Sequence, residues 1–154
     1  MEQLKTKVMK NVFYDSWVAK AALCLSECDT IMLFGFVFSK QKASEMTQAT
    51  RNHECVHARQ WFEVTVLSGA VILALVLALG ISAWWMLLAG MVYYTWYVIE
   101  WMCRSMWYSI MMDEWTCDME TPYQSLSFER EARFSERNSN YLENSGYFGW
   151  LKEL

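Results

Sequence analysis

Residues 64–99 read VTVLSGAVILALVLALGISAWWMLLAGMVYYTWYVI, a run of 36 residues without one charged side chain. As a single α-helix this run would be about 54 Å long, whereas a helix needs only about 20 residues to cross the hydrocarbon core of a bilayer. Gly80, Ile81 and Ser82 form the natural place for a turn. We therefore predict a transmembrane hairpin of two helices, residues 62–79 and residues 83–102.

The second predicted span is rich in aromatic residues, and many lie near its ends, as is typical of the belts at membrane–water interfaces. They are Trp84, Trp85, Tyr93, Tyr94, Trp96, Tyr97 and Trp101. Basic residues flank the hairpin and are missing from its turn; they are Lys40, Lys42, Arg51, Arg59 and Arg104. The positive-inside rule then predicts a multi-pass protein of the inner membrane, with both termini in the cytoplasm.

The composition agrees with a small protein that faces lipid. Hydrophobic residues make up 55% of the 154 residues and charged residues 19%, which leaves too little polar surface to cover two uncharged helices in water. The length gives room for a single domain, residues 1–154. A net charge of −4 and the lack of a basic stripe exclude nucleic acid as a partner. The lipid bilayer is the expected partner, and the sequence indicates no oligomeric state.

A metal-binding motif stands directly before the first span, in the sequence His53-Glu54-Cys55-Val56-His57. We expect one helix over residues 44–61 that continues into the first span, because no glycine or proline intervenes before Gly69. Histidines four residues apart lie on one helix face and can share a zinc ion. Glu54 lies about 100° away, where it can take a proton from zinc-bound water as a general base.

Two histidines leave a position for a third protein ligand, and the chain has no other histidine. The ligand must then be acidic, and the candidates are Glu100, Glu129, Glu131 and Glu136. Glu100 is adequately explained by an ion pair with Arg104, four residues later. The later three lie on a predicted C-terminal helix, residues 122–144, which opens with the capping sequence Thr121-Pro122-Tyr123-Gln124. Gln60 could support His57, whereas a packing role is favoured for Tyr123 and Tyr141 over donation to an oxyanion.

The sequence Glu129-x-x-Ala132 beside HExxH resembles the E-x-x-A pattern of membrane gluzincins, such as the HtpX/Ste24-type and BlaR1/MecR1-type peptidases. More closely, the chain resembles a group of short bacterial integral-membrane proteins with an N-H-E-x-x-H-x-R-Q segment, a hairpin and an S-F-E-x-E-A segment. The resemblance implies a zinc site made by His53, His57 and Glu129. It also shows a departure, because Arg133 stands where the larger families usually have aspartate. The missing support would then come from Glu131 or Glu136, which are also the alternative third ligands.

Together these patterns predict a mainly α membrane protein with a two-helix hairpin, a C-terminal ligand helix and one or two strands within residues 31–38. The predicted function is a zinc metallopeptidase that cleaves a peptide or membrane-protein substrate at the cytoplasmic membrane surface. The alternative is a catalytically inactive or latent zincin-like membrane adaptor or sensor.

Overall fold

The computed structural model describes residues 11–26, 28–111, 120–138 and 140–154. The structure is 67% helix, which confirms the predicted mainly helical fold. Its elements in chain order are β1 (Val12–Phe13), α1 (Trp17–Ala22), β2 (Thr30–Leu33), β3 (Phe36–Ser39), α2 (Gln48–Leu79), a 3-10 helix (Ala83–Met91), α3 (Val92–Met111), α4 (Glu120–Gln124), α5 (Ser127–Glu136), α6 (Tyr141–Asn144) and a second 3-10 helix (Gly149–Lys152).

The small sheet has the strand order β1-β3-β2, so that β2 is an edge strand. β2 and β3 form the strand pair expected within residues 31–38 and run antiparallel, with Thr30 opposite Ser39. β1 pairs parallel with β3 and was not predicted, because two residues are too few to show a period. The turn between β2 and β3 holds Phe34 and Gly35 with positive φ angles of 51° and 78°. A β-carbon on Gly35 would lie 2.8 Å from the Trp61 ring, so that glycine permits this close approach to α2.

Helix α2 joins the HExxH motif and the first apolar segment into 32 continuous residues. It begins at Gln48, four residues after the predicted start at residue 44, and the Thr47 hydroxyl accepts a bond from the Thr50 amide at 3.1 Å. It ends at Gly80, which has a positive φ of 65° and so supplies the expected turn. α2 is long and apolar enough to cross a membrane, with a mean hydropathy of 2.4 in its most apolar part. Among the described residues it is the one helix that meets this test.

The second apolar segment is not one regular α-helix. Residues 83–91 form a 3-10 helix, and α3 then continues to Met111. Two carbonyl groups of the 3-10 segment accept bonds from side chains of α2: Gly90 from Trp61 Nε1 at 2.9 Å, and Ala89 from the Ser68 hydroxyl at 3.1 Å. These bonds hold the segment against α2 in a geometry that a simple apolar pattern does not reveal. The structure thus establishes one long apolar helix, and the two-span hairpin stays a prediction.

The predicted C-terminal helix over residues 122–144 is wrong as a single element, because three short helices, α4, α5 and α6, replace it. The first break lies before Ser127, whose amide and hydroxyl bond to the Glu100 carboxylate at 2.9 and 2.7 Å. The Glu100 carboxylate thus accepts a bond from the first amide of α5, as an N-cap side chain does, and a new helix begins at Ser127. The second break follows Glu136, where the Asn52 amide donates to the carbonyls of Ser135 and Asn138 at 3.3 and 3.0 Å.

The buried core lies where the sheet, the first half of α2, α3, α5 and the C-terminal residues meet. Its fully packed members are Met32, Val37, Ala58, Val64, Tyr93, Phe128 and Trp150. A set of buried polar side chains lies beside it, including Asn52, His57, Gln60, Glu63, Glu129 and Glu131. Buried polar groups are costly unless they are hydrogen-bonded, so the partners of this second set define the site.

Candidate metal centre

His53 and His57 project from one face of α2, and α5 brings a carboxylate to the same place. His57 Nε2 lies 3.1 Å from His53 Nε2 and 3.2 Å from Glu129 Oε1. His53 Nε2 lies 3.5 Å from Glu129 Oε2. In a tetrahedral zinc site with bonds near 2.0–2.2 Å, neighbouring ligand atoms are roughly 3.3–3.6 Å apart. The three side chains predicted as ligands thus come together: one donor atom from each lies within 4.8 Å of the others, and they form a group able to hold a metal ion.

The outer nitrogen of each histidine is bonded to an oxygen atom. His53 Nδ1 lies 2.8 Å from Glu136 Oε1, and His57 Nδ1 lies 2.9 Å from Gln60 Oε1. A carboxylate oxygen can only accept, and the Gln60 amide group already donates to the Phe128 carbonyl and to Glu131. Both Nδ1 atoms therefore carry hydrogen, and both Nε2 lone pairs face the centre. This is the histidine form that a metal ion requires.

The lone pairs of the two imidazoles and of the Glu129 carboxylate point toward one another, and they repel unless a positive charge lies between them. Two imidazole nitrogens and two carboxylate oxygens converge there, and none of them donates when both histidines are neutral. A proton can supply the charge, and so can a metal ion. The donor set of two imidazoles and a carboxylate, with room for water, is typical of catalytic zinc.

The pKa values of His57 and Glu129 both shift in the direction that favours a positive charge between them. Burial disfavours the protonated form of His57, but the hydrogen bond and the negative charge of Glu129 outweigh burial, so the pKa of His57 is raised. Burial likewise opposes ionisation of Glu129, yet bonds from His57, Tyr123 and Tyr97 and the charge of His57 lower its pKa to about 2. Without metal, these two side chains form a buried ion pair.

Glu54, the predicted general base, faces the same cavity of about 260 Å³ as the ligand group. Its Oε1 accepts a bond of 2.5 Å from the Thr30 hydroxyl at the start of β2. β2 forms one wall of the cavity through Thr30, Ile31 and Met32. The cavity therefore presents the base, the candidate ligands and an edge strand to whatever enters it.

Four tyrosines also line the cavity: Tyr93, Tyr94 and Tyr97 of α3 and Tyr123 of α4. The sequence predicts interfacial belts for the first three and favours a packing role for Tyr123. Tyr97 donates to Glu129 Oε1 at 2.5 Å, and Tyr93 lies 3.4 Å from His57 Nδ1. The spacing of Tyr93, Tyr97 and Glu100, with a residue of this face at every turn, is the signal that could have revealed a polar stripe on this apolar segment.

The other acidic candidates are not among the three residues that meet. Glu136 bonds to His53 Nδ1 and so is placed to orient this imidazole. Glu131 is 2% exposed and accepts bonds from Arg59 and Gln60, both at 2.8 Å. Glu100 caps α5 and bonds to Arg104 at 3.3 Å. Glu131, Glu136 and Glu100 therefore lie outside the group of ligand atoms, whereas Glu129 is part of it.

Three more residues from the sequence analysis can be placed. Arg133 lies at the edge of the centre, with its Nε 4.0 Å from Glu129 Oε2. Tyr123 lines the cavity and bonds to Glu129, so it is placed to reach a substrate. Tyr141 lies elsewhere: its hydroxyl donates to Glu131 at 3.1 Å, and its ring lies against the Arg59 guanidinium at 5.5 Å.

Comparison of the chain with protein-family models, curated proteins and solved structures finds no match.

Proposed function

We propose that the chain is a zinc metallopeptidase of the membrane gluzincin type, with His53, His57 and Glu129 as zinc ligands and Glu54 as general base. The observation that carries the proposal is the meeting of the three side chains: one donor atom from each lies within 4.8 Å of the others, and the two Nε2 atoms are 3.1 Å apart. His57 Nε2 and His53 Nε2 face different oxygens of Glu129, at 3.2 and 3.5 Å, so the carboxylate is placed to share one zinc ion with both imidazoles.

The chemistry follows from the positions of the side chains. A bound zinc ion supplies Lewis-acid chemistry, because it lowers the pKa of water and polarises a carbonyl group. Glu54 takes a proton from the water that attacks the peptide carbon and passes it to the nitrogen of the breaking C–N bond. The products are a carboxylic acid and an amine. Glu136 and Gln60 hold the two imidazoles with Nε2 toward the centre.

The edge strand supports a polypeptide substrate. Among the residues that the structure describes, β2 has a neighbour on one side only, and Thr30, Ile31 and Met32 line the cavity. An extended peptide can pair with the free main-chain groups of such a strand, which would place a peptide bond beside Glu54. The apolar half of α2 and the segment after it favour a membrane location, so a membrane protein with a segment near the cytoplasmic bilayer surface is the expected substrate.

A latent zincin-like adaptor or sensor is the second candidate, and one contact favours it. The Thr30 hydroxyl bonds to Glu54 Oε1 at 2.5 Å and thus occupies an oxygen of the base. In a latent protein this bond would persist until a partner displaced β2. A Thr30→Val variant that gained activity would favour this reading over a constitutive peptidase.

The deciding experiment uses full-length protein in detergent, its zinc content and its cleavage of a quenched-fluorescence peptide library. Glu54→Gln should keep zinc, because Glu54 is not a ligand, and should lose about 10²–10⁴-fold in turnover. Glu143→Gln on α6, at an exposed position outside the cavity, is the matched control and should behave as the wild-type chain does. Near-normal turnover by Glu54→Gln would exclude the zincin mechanism, and a wild-type chain without zinc would exclude the site.

A further inference from the structure

Residues 148–154 pack against α2 and α5, the two helices that carry the proposed zinc ligands. Trp150 is 6% exposed, and its ring lies 4.8 Å from that of Phe128, the residue before Glu129. Its indole nitrogen donates to Glu63 Oε2 of α2 at 3.1 Å. Arg130 of α5 is bonded to the Glu153 carbonyl at 3.0 Å. The C-terminal segment, defined here as residues 148–154, is therefore fixed to both helices that carry the ligands.

Gly149 of this segment touches a buried carboxylate. A β-carbon at residue 149 would overlap the Glu131 carboxylate, since it would lie 2.9 Å from Cδ, and it would lie 3.2 Å from the Tyr141 hydroxyl. The backbone of Gly149 does not have a positive φ, unlike that of Gly35 or Gly80. Glycine is therefore needed at residue 149 for space, and not for backbone freedom.

Glu131 also bonds to Gln60, and Gln60 bonds to the proposed zinc ligand His57. Glu131 Oε2 accepts from Gln60 Nε2 at 2.8 Å, and this bond leaves Gln60 Oε1 facing His57 Nδ1 at 2.9 Å. Gln60 is fully buried, so no water can replace a lost partner. If Glu131 moved away, the Gln60 amide would keep only the Phe128 carbonyl as an acceptor, so it would lose one of the two bonds that fix which of its ends faces His57. The tautomer and the direction of the imidazole would then be held less firmly.

We propose that Glu131 is a positioning residue for the zinc ligand His57, that it acts through Gln60, and that the C-terminal segment sets its position through contact at Gly149. This inference rests on the proposed function, because it requires the zinc site. The C-terminal segment would then affect metal binding, although none of its residues is a proposed metal ligand.

The test compares two glycine-to-alanine variants of the full-length protein in detergent, with zinc affinity measured by competition against a chelator. Gly149→Ala should weaken zinc binding by about 10–100-fold, the usual cost of disturbing a residue that orients a ligand. Gly146→Ala is the matched control, because a β-carbon at residue 146 has no neighbour within 4 Å. The visible spectrum of the cobalt-loaded protein should change in Gly149→Ala and not in Gly146→Ala, which a general loss of packing would not produce.

A second variant protects the test against a folding defect. Glu131→Gln keeps the size of the side chain, but one of its two acceptor oxygens becomes an NH₂ group. Gln60 donates to one oxygen of Glu131, and Arg59 and Tyr141 donate to the other, so either orientation of the new amide breaks a contact that holds residue 131. Zinc affinity should therefore also fall at least about tenfold. In that background, Gly149→Ala should add less than it does alone, because both changes act through one contact.

The outcomes separate the inference from the proposed function. If Gly149→Ala and Glu131→Gln remain helical by circular dichroism and bind zinc as tightly as wild type, the inference fails and the zinc site stands. If Gly149→Ala does not fold, Glu131→Gln alone decides. If the wild-type chain binds no zinc, both the proposed function and this inference fail.

Discussion

The two halves of α2 differ in how much of them is buried. Residues 48–64 hold eight of the buried positions of the helix, and four of these are polar: Asn52, His57, Gln60 and Glu63. In residues 65–79 nearly every side chain is apolar, yet Gly69 is the one buried residue, and large hydrophobic side chains are exposed, among them Val66, Leu67, Val71, Leu73, Leu75, Leu77 and Leu79. A helix of a water-soluble protein usually buries such an apolar face. The difference supports the proposal that the second half of α2 faces lipid.

Energetics of the two halves follow from this contrast. Asn52, His57 and Gln60 of the first half, the polar half, are hydrogen-bonded, and a buried polar group without a partner costs about 1–3 kcal/mol. The apolar half packs against the 3-10 helix but leaves many large side chains exposed, so its stability depends on the surroundings of the helix. A change of polarity should therefore have opposite consequences in the two halves.

The largest effect should come from a charge in the apolar half. Leu73→Arg, at a position that is 47% exposed, should lower membrane insertion by about 3 kcal/mol, because an arginine near the centre of a span costs about 2.5–3.5 kcal/mol. The measurement is the fraction of protein that stays in membranes during alkaline extraction, with Leu73→Met as control. If Leu73→Arg stayed in membranes as Leu73→Met does, the second half of α2 would not face lipid.

An apolar side chain in the polar half should have the next largest effect. Gln60→Leu keeps the approximate size but removes one hydrogen-bond partner each from His57 Nδ1, the Phe128 carbonyl and Glu131, so zinc affinity should fall about 10–100-fold. Gln48→Leu, at an exposed position of the first turn of α2, serves as control and should change zinc affinity little. Membrane insertion should be unchanged in both. Equal zinc affinity in Gln60→Leu and Gln48→Leu would contradict the role given to the buried amide.

The smallest effect should be a pH dependence that belongs to the polar half alone, since residues 64–99 contain no histidine, cysteine or charged residue. Because the pKa of His57 is raised above its ordinary value of 6.5, the protonated form stabilises the metal-free protein below about pH 6.5, and this contribution is lost as pH rises through the raised pKa. Zinc requires neutral imidazole and gains over the same range. The rise in unfolding temperature on adding zinc should thus be larger at about pH 8 than at about pH 6; an equal rise at both would mean that zinc does not displace this proton.

The features that sequence alone predicted are those with a local period. The run without charged residues predicted the apolar helix, and Gly80 predicted its end. The spacing of His53 and His57 predicted that both imidazoles lie on one face. The pairing of residues 31–38 into strands follows from the same kind of pattern.

The features that sequence missed are fixed by contacts between distant residues. Glu100 and Asn52 break the expected C-terminal helix into pieces through bonds to residues 27 to 86 positions away. Thr30 reaches Glu54 across 24 positions, and Tyr97 reaches Glu129 across 32. A propensity scale gives each of these residues only its local preference, and tertiary hydrogen bonds override that preference.

The bond between Glu100 and Ser127 also sets the order of events during synthesis. The ribosome makes His53 and His57 before the apolar run and Glu129 after it, and the helix of Glu129 starts from a carboxylate at the far end of that run. Asn52, Gln60 and Arg59 of α2 also bond to α5, but they too can do so only once residues 127–138 exist. The group of His53, His57 and Glu129 can therefore form only after the whole apolar run has been synthesised.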